Sequence, residues 1–133
     1  MISANYGNGQ DVLAFTDQLG ITGSWNAGTG VLTLSGTTTV ANYQAALRAV
    51  TYVNTSDAPS TSTRVVSFVA NDGAAPSSAA TRNVSVAAVN DAPSASNLNA
   101  AETYIEDTAL NLINIVISDV DKIEEHTSEL QSL

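Results

Sequence analysis

Thr81-Arg82-Asn83-Val84-Ser85-Val86-Ala87-Ala88-Val89 is the stretch whose reading decides the fold. Val84 and Val86 alternate with polar neighbours, the period-2 pattern of a strand with one face turned inward. Just upstream stand Ala70-Asn71-Asp72-Gly73 and Pro76, residues that favour turns because they cap their own backbone or tolerate positive φ. The run Arg64 to Ala70 alternates as well, so 64–89 reads as two strands joined by a turn-rich loop. Asn90-Asp91-Ala92-Pro93 then closes the second strand with an acidic linker stopped by proline.

The same pattern extends toward the start of the chain. Ile2 to Tyr6 reads as a strand, and Gln10 to Thr16 as another after the turn Gly7-Asn8-Gly9. Ile21–Trp25 and Val31–Leu34 flank Asn26-Ala27-Gly28-Thr29-Gly30, which predicts a hairpin around a glycine-rich turn. Thr51 to Asn54 is a further strand, followed by a loop around Pro59. One segment breaks the rule. From Thr39 to Val50 the apolar residues Val40, Tyr43, Leu47 and Val50 recur at spacings of 3, 4 and 3 among alanines, with Thr38 or Thr39 placed to cap the start. That predicts one short helix, crossing between two sheets. About seven short strands at close spacing are the signature of an antiparallel β-sandwich.

Composition agrees and excludes several functions. The 133 residues contain 44% hydrophobic side chains but only 5% aromatic ones, and the remainder is rich in Thr, Ser, Asn and Gly. This composition suits sheet surfaces rather than a helical bundle. Thirteen acidic residues against four basic ones give a net charge of −9. Nucleic acid and anionic membranes are poor partners for such a chain, because phosphate binding needs clusters of Lys and Arg. With no cysteine there is no disulfide framework, no thiolate metal site and no cysteine nucleophile. No apolar run approaches the ~20 residues that span a bilayer, so no membrane insertion is expected. Met1-Ile2-Ser3-Ala4 lacks the basic and apolar start of a secretory leader and reads as a start placed inside a longer protein.

The turn Ala70-x-Asp72-Gly73, Pro76, the strand 81–89 and the linker Asn90-Asp91-Ala92-Pro93 together resemble the end of a cadherin repeat. The body at 2–93 is similar to the cadherin-like repeats of giant bacterial surface adhesins of the RTX and VCBS type. The resemblance rests on Gly-Gln-Asp-Val-Leu-Ala-Phe (9–15), Gly-Ser-Trp-Asn (23–26), Leu-Thr-Leu-Ser-Gly (32–36), Tyr-Gln-Ala-Ala-Leu-Arg (43–48) and Thr-Tyr-Val-Asn-Thr-Ser-Asp (51–57). Thr103 to Asp121 begins with strand-like Tyr104-Ile105, and Leu110 to Ser118 reads as a further strand; residues 104–121, with Glu106-Asp107-Thr108-Ala109-Leu110 and Ser118-Asp119-Val120-Asp121, look like the opening of the next repeat. Residues 122–133 match nothing in the family.

The resemblance implies an immunoglobulin/cadherin-like Greek-key sandwich in a secreted or cell-surface protein. It implies no enzyme, but a structural and adhesive extender that takes calcium where repeats meet. By position, the family's calcium ligands fall on Asp72, Asn90, Asp91, Glu106, Asp119 and Asp121. Calcium takes about six to eight oxygen ligands at ~2.3–2.6 Å, and clustered carboxylates repel one another until a cation neutralises them. Neighbouring cadherin-like repeats are the implied partners. The alternative is a carbohydrate- or protein-binding module of an extracellular enzyme or adhesin.

Relative to the repeat, the chain is out of phase. The sandwich body (1–93) lacks its own opening strand, glutamate and Asp-x-Asp, which come only after a linker (94–102), at 103–121; a tail (122–133) follows. Residues 103–118 fill the vacant strand position either within the chain or by swapping into a homodimer. The first route asks the stretch from Pro93 to Tyr104 to reach at most about 36 Å at ~3.3 Å per residue; the second needs no such reach. Other residues read more plainly. Asp11 is a strand-edge acid and Asp57 a turn residue. Trp25 belongs to the core or a sheet face, with sugar stacking as its alternative. His126, the lone histidine, has no partners for a triad or a zinc site.

Overall fold

The computed structural model describes residues 1–97, 101–111 and 115–121; the tail expected at 122–133, with His126, lies outside them. The chain divides into two units, Met1–Ala88 and Val89–Leu133. The described residues form antiparallel β-ladders with a single short helix, an all-β arrangement.

In the first unit β1 (Ile2–Ala4), β6 (Arg64–Phe68) and β7 (Ala80–Val84) form one sheet in the order β1-β6-β7. β2 (Asp11–Ala14) pairs with β5 (Thr51–Asn54), and β3 (Thr22–Asn26) with β4 (Val31–Ser35). All the pairings are antiparallel. The β3–β4 hairpin is the one its sequence predicts: Asn26 faces Val31 across the turn, and the Asn26 side chain accepts from the backbone N–H of Gly28 and Thr29. Gly30, at φ +65°, ends the turn with its face against the ring of Tyr6, where a Cβ would come within 3.2 Å. Its carbonyl accepts from Ile2 N–H, so the hairpin tip is fastened to β1.

The helix α1 (Val40–Arg48) links β4 to β5 and therefore crosses between two ladders, as its position predicts. Thr39 is its N-cap, with Oγ1 accepting from Asn42 N–H at 3.2 Å. Arg48 in the last turn faces the negative end of the helix dipole. The buried face differs from the expected one. Val40 and Leu47 are exposed, while Ala46 is fully buried and Tyr43 and Val50 are partly so. The spacing 43, 46, 50 is as helical as 43, 47, 50, so the periodicity alone does not decide between Ala46 and Leu47.

β7 stops at Val84, although the alternation continues to Val89. Arg64 pairs with Val84 at the end of the ladder, and the chain before Arg64 turns away to wrap that side chain. Among the described residues no strand pairs with residues 85–89. The core is centred on Ile2, Leu13 and Val66, with Tyr6, Trp25, Leu32, Val50, Tyr52, Phe68 and Val84 packed around it. Trp25 and Tyr6 meet edge to face at 6.2 Å, a favoured aromatic geometry.

In the second unit β8 (Ser94–Ser96) pairs antiparallel with β9 (Val116–Ser118), Ser94 facing Ser118. Ser94–Ser96 lies within the stretch read as a linker, and β9 within the strand read at Leu110–Ser118. Tyr104-Ile105, expected to be strand-like, instead leads into a turn in which Thr108 donates to the Ile105 carbonyl through both its N–H and its hydroxyl.

Candidate functional site

The most tightly built polar site in the first unit centres on Asp11. It starts β2, with Leu13 two residues on, so both side chains point to the same buried face. Arg64 starts β6 and shares its inner face with Val66 in the same way. Each of the two charged residues is 1% exposed. One Asp11 oxygen accepts from Gly7 N–H at 2.7 Å and from Arg64 Nε at 3.0 Å. The other accepts from the Tyr52 hydroxyl at 2.6 Å and Asn54 Nδ2 at 2.6 Å. The Arg64 Nη1 donates to the carbonyls of Ser60 and Ser62, each at 2.6 Å.

Every lone pair direction of the carboxylate is thus used, and among the described residues no buried side-chain polar atom lacks a partner. Burial alone would raise the pKa of Asp11. The hydrogen bonds from Tyr52, Gly7, Asn54 and Arg64 outweigh it and hold the group down to about 2. Burial, reinforced by the adjacent carboxylate, pushes the Tyr52 phenol up from its ordinary 10.0. Asp11 is therefore not a strand-edge acid but the centre of a buried ion pair. All of its partners are spent on structure, so it has no vacancy for a substrate or a cation.

The carboxylates expected to bind calcium occupy other places. Asp72 sits in the loop between β6 and β7. Its Oδ1 accepts from Ala74 N–H at 2.9 Å and Ala75 N–H at 3.1 Å, and these bonds lower its pKa. Asn71 does the same for Gly73 at 2.8 Å, with Gly73 at φ +92°. Asp72 thus performs turn chemistry.

Asp91, Asp119 and Asp121 gather at one end of the β8–β9 ladder. Continuing the register that pairs Ser94 with Ser118 sets Asp91 opposite Asp121. The Asp121 carboxylate accepts from Asp91 N–H at 2.5 Å, and Asp119 Oδ1 accepts from Asp121 N–H at 2.8 Å. Asn90 turns its amide onto the Asp91 carbonyl at 2.8 Å. Glu106 is exposed in the turn after Ile105. Among the described residues no three Asp, Glu, His or Cys side chains converge as a metal-binding group. The side chains of Asp91, Asp119 and Asp121 end in oxygens of the kind a hard cation takes. Asp121 Oδ2 and Asp119 Oδ1 each already hold a backbone N–H.

The aromatic residues of the first unit are partly buried and engaged within it. Trp25 packs on the core and against Tyr6, the Tyr52 hydroxyl is bound to Asp11, and the Tyr43 hydroxyl donates to the Gly36 carbonyl at 2.8 Å. Comparisons with protein-family models, with curated proteins and with solved structures returned no match.

Proposed function

We propose that the chain is part of an extracellular, cadherin-like extender: a Greek-key sandwich module of a bacterial surface adhesin, spacing an adhesive region from the cell and taking calcium where consecutive repeats meet. The observation that supports this reading is the meeting of Asp91 with Asp119 and Asp121 at one end of the β8–β9 ladder. The linker acid of one repeat and the Asp-x-Asp that opens the next are the two elements that the resemblance assigns to a junction. They are brought together by a ladder whose strands carry no other chemistry.

In this reading Asp91, Asp119 and Asp121 supply carboxylate oxygens and Asn90 a carbonyl. Asp72 and Glu106 are assigned to the calcium ligands by the resemblance alone. Bound calcium would neutralise facing carboxylates and stiffen the linker, so its effect is mechanical rather than catalytic. Binding only the folded form would stabilise it by mass action.

The test is a thermal melt of the chain with millimolar calcium and with chelator, repeated on D119N/D121N. The expected result is a melting temperature raised by calcium in the parent and unmoved in the variant. A parent melt indifferent to calcium, with no heat on calorimetric titration, would count against calcium at this junction. Light scattering on the same samples separates a monomer from a dimer that exchanges residues 103–118.

A further inference from the structure

We propose that Asn8-Gly9 is a site of spontaneous deamidation in the folded protein, and that the turn around Asp72-Gly73 shields that second dipeptide from the same ring-forming chemistry. The chain contains one Asn-Gly and one Asp-Gly dipeptide. Both can close a five-membered succinimide, in which the backbone nitrogen of the glycine attacks the side-chain carbonyl carbon of the residue before it. Glycine is the most permissive follower, because no Cβ hinders the nitrogen or restricts the approach.

The two dipeptides sit in turns of opposite character. Asn8 and Gly9 are exposed, and among the described residues neither the Asn8 side chain nor the Gly9 nitrogen takes part in a hydrogen bond. Gly9 lies at φ +79° with nothing within 4 Å of where a Cβ would stand. The bonds that close this turn, from Gln10 N–H at 3.0 Å and Asp11 N–H at 2.8 Å to the Gly7 carbonyl, flank the reacting atoms without engaging them. At the second dipeptide both reacting groups are engaged. The Gly73 nitrogen donates to Asn71 Oδ1 at 2.8 Å, and Asp72 Oδ1 is held forward by Ala74 and Ala75. The attacking nitrogen would have to give up its bond to Asn71, and turning the Asp72 carboxyl toward it would pull against the bonds from Ala74 and Ala75.

At position 8 a bond forms between Gly9 N and Asn8 Cγ, the Cγ–Nδ2 bond breaks, and ammonia leaves with the proton lost from Gly9 N. A water molecule then opens the ring at either carbonyl, giving aspartate or isoaspartate. The product carries one negative charge more than the parent's −9. The change falls beside Gly7, whose N–H is a donor to the buried Asp11 carboxylate.

An asparagine reacts faster than an aspartate for chemical reasons alone, so the test equalises the two. The D72N variant carries Asn-Gly at both positions and keeps the oxygen that accepts from Ala74 and Ala75. It is aged in mildly alkaline buffer, folded and in denaturant, and peptide mass spectrometry follows the replacement of side-chain NH2 by OH at each position. Folded, position 8 is expected to convert severalfold faster than position 72; in denaturant the two rates converge. Adding N71A to D72N releases the Gly73 nitrogen and is expected to speed position 72. In the parent, N8Q is expected to abolish the more acidic species that accumulates on anion exchange. Equal rates in folded D72N, or a slower position 8, would overturn the proposal, as would an acidic species that persists in N8Q.

Discussion

Replacing Arg64 with methionine tests whether the buried ion pair organises the first unit. Methionine keeps much of the apolar stem and deletes the guanidinium. Asp11 is then left charged, 1% exposed, and served only by the neutral donors Gly7 N–H, Tyr52 Oη and Asn54 Nδ2. Removing one partner of a buried pair costs about 3–5 kcal/mol, because the remaining charge is stranded. Three short hydrogen bonds still reach the carboxylate, and water can serve the Ser60 and Ser62 carbonyls on their exposed loop, so the lower end applies. The expected loss is about 3 kcal/mol. Trp25 is the sole tryptophan and packs on the core, so its fluorescence reports urea unfolding of this unit. With a urea slope of about 1–2 kcal/mol/M for a unit of this size, the midpoint should fall by roughly 2 M. Y52F removes one donor to the same carboxylate and should cost about 1.5–3 kcal/mol, the range for hydrogen bonds to charged groups. A deficit below about 1 kcal/mol in R64M, the range of an exposed surface pair, would refute the argument that burial makes this pair matter.

Three other outcomes are expected. The Asp11 carboxyl sits at about 2 when folded against an ordinary 3.8, so it stabilises the fold at any pH above the higher value and loses that contribution as pH falls from 3.8 through 2. At roughly 1.4 kcal/mol per unit the loss is about 2 kcal/mol, read as a fall of the urea midpoint in acid that is markedly smaller in D11N. T39A should cost about 1 kcal/mol by removing the cap on α1, seen as a lower melting temperature with helical circular dichroism reduced. G36A should cost about 1–3 kcal/mol through overpacking, since a Cβ there would lie 2.1 Å from the Gly20 carbonyl oxygen; G28A, where the nearest atom is a side-chain oxygen at 3.4 Å, is the mild control.

What the sequence discloses depends on the distance between interacting residues. The β3–β4 hairpin and the cap of α1 were legible because every residue they need lies within one local stretch: a glycine-ended turn between alternating runs, and a threonine before alanines. Asp11 was not legible as a buried group. Patterns of hydropathy place an aspartate outside, and only its partner Arg64, 53 residues away, makes the inside tenable. The one available hint was the shared parity of Asp11 with Leu13 and of Arg64 with Val66. β8 was hidden for another reason. Ser-Ala-Ser has little strand preference of its own, and its pairing with β9 is set by a register across more than twenty residues. That register also sets Asp91 against Asp121, so the acids of the linker and the Asp-x-Asp were each visible in the sequence, while their meeting was not. The expected strand at Tyr104-Ile105 failed because two apolar residues without an alternating continuation do not outweigh a turn that Thr108 can close on Ile105.

The pairings of the first unit also have an order. β3 with β4 lies inside β2 with β5, which lies inside β1 with β6, like brackets within brackets. Tying residues far apart in a flexible chain costs entropy that grows with the loop between them. Here each inner closure shortens the loop left for the next. The hairpin from Thr22 to Ser35 and the helix after it take slack out of the chain between Ala14 and Thr51, and that ladder in turn draws Ala4 toward Val65. A topology whose outermost nested pairing joins Ile2 to Val66 can therefore assemble from its centre outward. Its rate should respond to the inner turn at Asn26–Gly30 more than to the late-forming edge at β1.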